Sequence, residues 1–470
     1  MAAPRLSVVI RFCAWFSFGA FTLSNGTLLA QEWQDDVQFT SCSGDALDCG
    51  CGGCSCGCND DMCGCGTMSC ADFGYCWNGP CLTDRLTDCI TCEAESMQAR
   101  GITYAPVATQ FYQGVASGGR EQDFEYGGKL DQFLILDSGK LGLWQGMTMT
   151  MHAETRFGQD VNRDAVGFAP ANVAMLFPKF NEHDTAITGL TFAQALNEEL
   201  QLTFGKFNAL DLLYSLYPQT GRGVDGFMNV SLVTPISIAR VMPLSFLGAG
   251  ALKYREKQVQ AGLLVYDTHN VPTTSGFDEL FDNGANIMGF WRFFTNPCGL
   301  PGSHLIGGMW STGEFVTFDP TGFAIIPDEG LVATREGGAF TLIAIVEQTL
   351  WMDCCNRDRN IALLSQWGLA DENTSPFRWS ANVGVQGRGF IRSRPHDAIG
   401  VGYFYTGLSD EFRALLSPIR NLQDVNGVEL YYSAAITKCF QVTTDLQVIE
   451  PADVSNDTAV VFGLRGTLGL

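Results

Sequence analysis

Charged side chains are scarce in this chain. Asp, Glu, Lys and Arg make up 17% of its 470 residues, where about 25% is usual for a soluble domain. Positive charge is scarcest: 28 Lys and Arg stand against 50 Asp and Glu, a formal net charge of −22. A nucleic-acid partner is therefore not expected, because displacing counterions from phosphate needs a basic surface. Of the cations, 21 are Arg and 7 are Lys, a bias that suits fixed, structured settings better than a generic solvated surface. Long apolar runs are missing too. Beyond the N-terminal segment the longest is Leu342 to Val346 with its immediate neighbours, far short of the roughly 18 to 20 residues of a spanning helix. A membrane protein built from several helices is excluded. There is no HExxH, GxSxG or Walker A sequence, and the five His (His152, His183, His269, His304, His396) show no metal-ligand spacing. The expectation is a protein that is not an enzyme and carries neither cofactor nor resident metal.

Aromatic residues and glycine are plentiful, with 33 Phe, 12 Tyr, 9 Trp and 53 Gly. Hydrophobic residues reach 46%, yet the mean hydropathy is only +0.07, so the apolar side chains are dispersed. Such a chain can bury a large core or face lipid, which argues against disorder.

Three regions follow one another. In residues 1–30, Arg5 and Arg11 precede the apolar run Phe12 to Phe21, and Thr27-Leu28-Leu29-Ala30 comes before polar Gln31. This reads as a secretory signal, with an uncleaved anchor as the alternative. Export would place the rest in an oxidising compartment. Residues 31–104 form an acidic, Cys-rich segment. Residues 31–98 hold 12 Asp and Glu against the single Arg85. Thirteen cysteines crowd into it: Cys42, Cys49, Cys51, Cys54, Cys56, Cys58, Cys63, Cys65, Cys70, Cys76, Cys81, Cys89 and Cys92. With too few apolar residues for a core, it needs cross-links or metal to become ordered. Disulfides suit an exported segment, although an odd count leaves one thiol to pair elsewhere, cross to another chain or stay free. A thiolate metal cluster and a thiol-rich linker are the other readings.

Residues 105–470 read with period two. From Gly142 to Phe157 the odd positions Leu143, Met147, Met149, Met151 and Ala153 are mostly apolar, while Thr148, Thr150, His152, Glu154 and Arg156 alternate with them. The same alternation runs through Phe377 to Arg388, Val428 to Thr437 and Val460 to Thr467. Segments of this kind, separated by turns such as Asn270 to Gly276, Asp319 to Asp328 and Pro451 to Asp457, are the signature of a transmembrane antiparallel β-barrel. Only a closed barrel lets strands satisfy every backbone group in lipid. A soluble sandwich or propeller would also alternate, but low charge and abundant Phe favour the membrane form, and no repeat of propeller length occurs. Roughly 365 residues at about 23 per strand and connection give close to 16 strands, enough to enclose an aqueous lumen.

These residues resemble the carbohydrate-selective porins (OprB-like) of bacterial outer membranes, over about residues 110 to 470. The resemblance rests on Tyr126-Gly-Gly-Lys-Leu-Asp131, Lys140-Leu-Gly-Leu-Trp144-Gln-Gly146, His152-Ala-Glu154-Thr-Arg156-Phe-Gly158 and Leu202-Thr-Phe-Gly205-Lys206-Phe-Asn-Ala-Leu-Asp211. It continues through Gly299 to Phe315, Gly400-Val-Gly402-Tyr403-Phe404, Asp445 to Pro451 and Val461 to Arg465. Two features depart from it: the chain closes on Gly469-Leu470, where outer-membrane strands commonly end in Phe or Trp, and the Cys-rich segment lies outside the shared pattern. The resemblance implies an integral outer-membrane porin in a lipid bilayer, passing sugars or other small hydrophilic solutes passively, with the N-terminal segment periplasmic.

If the odd positions of the early strand face lipid, His152, Glu154 and Arg156 point inward, and a Glu/Arg pair suits a constriction. Trp144 shares their parity and is the candidate for stacking on a sugar ring. By the same rule Arg378, Arg388 and Arg465 line the lumen, with Asn382 and Gln386 as hydroxyl partners. Trp379 falls on the apolar face as a girdle residue, and the facing of Trp310 is left undecided by its Gly-rich surroundings. The runner-up function is a structural anchor whose barrel holds a disulfide-linked Cys-rich envelope layer. Homo-oligomers and intermolecular disulfides are compatible with either reading.

Overall fold

A computed structural model describes residues 94–165, 167–178, 185–326, 330–354, 356–391, 393–437 and 439–469. The expected signal and all thirteen cysteines of the acidic segment lie outside the described residues. The alternating sequence becomes strands. The first half of the sheet holds β1 (Ile102–Gly119), β2 (Phe124–Asp137), β3 (Met147–Gly158), β4 (Thr185–Ala195), β5 (Leu200–Asn208), β6 (Ser245–Arg255), β7 (Gln258–Asp267) and β8 (Ala285–Thr295). After β9 (Gly302–Val316) a small hairpin of β10 (Phe323–Ile326) and β11 (Gly330–Ala333) stands apart from the main sheet. The sheet resumes with β12 (Arg335–Met352), β13 (Asn360–Ala370), β14 (Phe377–Arg388) and β15 (Ala398–Leu408). It ends with β16 (Val425–Ala435), β17 (Phe440–Glu450) and β18 (Asp457–Gly469). β1 starts three residues before the boundary expected from composition.

Each main strand pairs antiparallel with its neighbour, and β1 pairs with β18 from Val107↔Gly469 to Val115↔Val461. The sheet is thus a closed barrel of 16 strands. An even count places both barrel termini at one end, where the connections are short: 138–146, 196–199, 256–257, 296–301, 353–359, 389–397 and 436–439. The β6–β7 turn there is two residues, Glu256 and Lys257, with φ of 52° and 67°, as the twist of a tight hairpin demands. The long connections 159–184, 209–244, 268–284, 317–334 and 409–424 gather at the opposite end.

The two faces of the wall differ as the alternation requires. In β16, Val428 and Leu430 are exposed on the outside, whereas Glu429 and Tyr431 are buried inside. Trp379 and Tyr405 stack on the outer surface at 4.9 Å, where an interfacial aromatic girdle belongs. Trp310 is 52% exposed in the outward row of β9, which settles its facing toward lipid.

The interior departs from expectation. Residues 167–178 and 209–244 are loops by position, yet most of their residues are buried, because both segments fold inside the barrel. The second carries α1 (Ala209–Leu216) and the single turn α2 (Val230–Val233). Leu212, Leu213 and Leu216 of α1 join Phe207, Phe246, Tyr266, Phe290 and Met309 of β5 to β9 in one apolar cluster. A hydrophobic core therefore fills one side of a space that strand number alone would leave to water.

The lipid-facing assignment makes a direct prediction. Leu430→Arg, at the centre of β16 on the outer face, should destabilise the folded barrel by about 2–4 kcal/mol. Reversible denaturant unfolding in bilayers measures this, and an unchanged midpoint would show that the outer row does not meet hydrocarbon.

Candidate functional site in the barrel interior

Strand register puts the inward polar residues of β2 and β3 side by side: Lys129 opposite Arg156, Asp131 opposite Glu154, and Phe133 opposite His152. Lys129 Nζ bonds Asp131 at 3.1 Å and also bridges to Glu154. His152 Nε2 meets Asp131 at 2.9 Å, and its Nδ1 meets Asp211 of α1 at 2.7 Å. A carboxylate only accepts, so this geometry calls for a proton on each ring nitrogen. Asp211 also receives Arg222 Nη1 at 3.1 Å. Arg222 lies 4.8 Å from the Phe133 ring centroid and 4.6 Å from that of Tyr214. Three cations and three carboxylates thus neutralise one another in a buried chain that joins the wall to the inward loop.

Asn208 explains why α1 starts where it does. Its side-chain oxygen accepts from the amides of Leu210 and Asp211, capping the helix, while its Nδ2 donates to Glu154 at 2.9 Å and to Thr188 at 2.8 Å. One side chain therefore sets both the helix start and the placement of Asp211 beside His152. Asp131, His152 and Glu154 bring possible metal ligands within 4.8 Å of one another. The Lys129 ammonium already sits against both carboxylates, however, and both His152 nitrogens are engaged, so the trio acts as an ion-pair network.

The wall from β13 round to β18 grips the inward segments by their backbone. The Glu429 carboxylate accepts from the Met228 and Asn229 amides at 2.5 and 2.8 Å. Asn382 Nδ2 donates to Ser231 O at 2.7 Å, Gln366 Nε2 to Val233 O at 3.2 Å, and Gln386 Nε2 to Gln219 O at 2.6 Å. Arg465 reaches the carbonyls of Gly223 and Gly226 at 3.0 and 3.1 Å. Gln447 holds the other inward segment through Ala171 O at 2.8 Å. Inward glycines make the room: a Cβ on Gly384 would stand 2.9 Å from the Phe227 ring, and one on Gly402 2.7 Å from Leu232.

The residues singled out from sequence fall into three groups. His152, Glu154, Asn382 and Arg465 face inward but are buried and committed to holding the loops. Gln386 is half-buried and accepts the Tyr431 hydroxyl at 2.6 Å, Arg388 is exposed at the end of β14, and Arg156 is part-buried and paired with Asp160. Two expectations are corrected. Trp144 lies in the 138–146 turn before β3 begins, 63% exposed, so it has no strand parity to share with His152. Arg378 sits at a register shift between Phe377 and Trp379. There it pairs with Glu372 at 3.3 Å and Asp410 at 3.4 Å, two residues of the long-loop rim. Sequence reading missed Lys129, Asp131, Asp211, Arg222 and Glu429. The first two and Glu429 were reachable by extending the inward parity, whereas the loop residues carried no periodic signal.

The description "Carbohydrate-selective porin, OprB family" fits residues 121–470. The chain belongs to this family. Among solved structures, the high-pH structure of Pseudomonas putida OprB is similar at a TM-score of 0.68 and 17% identity, covering 80% of this chain and 96% of that one. The low-pH structure of the same protein matches at 0.50 and 15%, covering 81% and 96%. At such identity the likeness shows the fold. No curated protein matches this chain. Membership makes this OprB-family barrel an integral outer-membrane protein of the porin type.

Two variants test the docking of the inward loop. His152→Ala leaves Asp131 and Asp211 without their shared cation and should cost about 3–5 kcal/mol, with faster amide exchange across 209–216. Equal exchange would mean that α1 does not depend on the wall. Gly384→Val should crowd Phe227 at a cost of about 1–3 kcal/mol and loosen 226–233, which the same exchange measurement reads.

Proposed function

We propose that this barrel passes carbohydrates and other small hydrophilic solutes passively across the outer membrane, with its short-turn end in the periplasm. The observation that carries the reading is the interior itself: two loops folded inward and hydrogen-bonded to a polar wall, which narrows a wide barrel to a passage bounded by dipoles and fixed charges. Such a passage suits a solute rich in hydroxyls, which can exchange water for a succession of weak polar contacts and still leave. Arg388 and Gln386 near the short-turn end, and Arg156 near the long-loop end, are the residues proposed to meet solute. Short turns and both barrel termini at one end follow the arrangement of bacterial barrels, whose longer loops face outward. The family's carbohydrate selectivity supports sugars as the solute class.

Planar-bilayer conductance of the purified protein decides it. Discrete openings should be blocked by glucose or maltose at millimolar concentration and not by a zwitterion of matched size. Arg388→Ala should weaken the block about tenfold, equivalent to about 1.4 kcal/mol. Openings indifferent to sugar would remove the selectivity from this reading, and a folded, heat-modifiable barrel that never opens would overturn it.

A further inference from the structure

The apolar cluster on one side of the interior stops before the short-turn end. Phe290, Met309 and Ile345 are buried on the inner rows of β8, β9 and β12. The next inward positions toward the turns on β8 and β12, namely Arg292, Phe294 and Glu347, are half-buried instead. Parity fixes their facing, since Trp291 and Phe293 of β8 and Leu342 of β12 are exposed on the outer wall.

Register lines these residues up. Phe294 pairs with Ser303 of β9, and Ser303 pairs in turn with Glu347, so one level of the wall carries a ring, a hydroxyl and a carboxylate on adjacent strands. Phe294 and Glu347 stand two strand spacings apart, about 10 Å between backbones, a span that one pyranose with its hydroxyls bridges. Arg292 reaches into this level from the neighbouring row. Its Nε donates to Ser303 Oγ, and its guanidinium carbon lies 4.7 Å from the Tyr217 ring centroid and 5.1 Å from that of Phe294. The Tyr217 hydroxyl, just after α1, accepts from Ser303 Oγ at 3.4 Å. Arg292 is thereby fixed against the wall. Glu347 lies within reach of its field, yet no ion pair joins the two, and among the described residues Glu347 has no hydrogen-bond partner. The site adjoins Gln386: Glu347 is level, through Leu364, with Gly384 of β14, and Gln386 holds Gln219, two residues beyond Tyr217.

We propose that Arg292, Phe294 and Glu347 form a binding site for one neutral pyranose near the short-turn mouth, which rests on the reading that sugars pass through this barrel. The Glu347 carboxylate accepts from ring hydroxyls, the Arg292 guanidinium donates to hydroxyl oxygens, and Phe294 takes the C–H face of the ring. Bonds to ionised groups are stronger than those between neutral ones. The two charges sum to zero, and each repels a solute of its own sign. The site therefore favours a solute that both donates and accepts over an anionic sugar.

Planar-bilayer block by glucose and by glucuronate, which carries a carboxylate in addition, tests this on the full-length protein. Glucose should block the wild-type channel more strongly. Glu347→Gln, nearly unchanged in shape, should weaken glucose block about tenfold through loss of charge-assisted hydrogen bonds, while block by glucuronate becomes stronger. Phe294→Ala should weaken block by both and leave their ratio as it was, with both variant barrels still heat-modifiable. A Glu347→Gln channel that keeps the wild-type ratio of the two sugars would overturn the site and leave sugar passage standing, as would a Phe294→Ala channel blocked like wild type. A wild-type channel that no sugar blocks would remove the selectivity reading itself, and this site with it.

Discussion

Backbone hydrogen bonding is the constraint from which the rest of this structure follows. Hydrocarbon offers no water to an unpaired N–H or C=O, and each one left open there costs several kcal/mol. A sheet in that setting has to meet its own first strand, and here β1 meets β18 along most of the length of both. Closure brings three consequences with it. Alternate residues must face opposite media, so Leu430 meets lipid while Glu429 and Tyr431 are buried inside. Antiparallel pairing sends every second connection to the same end. An even strand number returns the chain to the end at which it entered.

The interior shows how a polar wall can serve as scaffold. Asn382, Gln386, Glu429, Gln447 and Arg465 all face inward, as a water-filled channel would require, yet each is bonded to the backbone of an inward segment. A loop brought inside a barrel carries amides and carbonyls that have lost water, and these side chains replace it. The buried ion-pair chain from Lys129 to Arg222 works in the same way. Burying six charges is expensive, and such groups contribute most by fixing one arrangement among several. Here they hold α1 against β2 and β3.

Charge is distributed along the barrel axis as well as across the wall. Acidic residues crowd the long-loop rim, where Arg378 is held between Glu372 and Asp410, and the turns at the other end are close to neutral. A rim of this sign raises the energy of an approaching anion and leaves an uncharged sugar unaffected.

Strand periodicity, strand number and the facing of Glu154, Asn382 and Arg465 were readable from residue order, because a period of two reports directly on which medium each side chain meets. Trp144 and Arg378 were misplaced where that rule lapses: a parity carried past the start of β3 into a turn, and a bulge between Phe377 and Trp379 that inserts Arg378 as an extra residue in β14. Asp211 and Arg222 could not be found this way, since a loop has no period and its position depends on which groups the wall presents. The sequence by itself determined a closed, lipid-facing barrel with a polar inner wall. Only the tertiary structure decided that the wall's polar groups hold two loops inside it, because that depends on contacts between residues far apart along the chain.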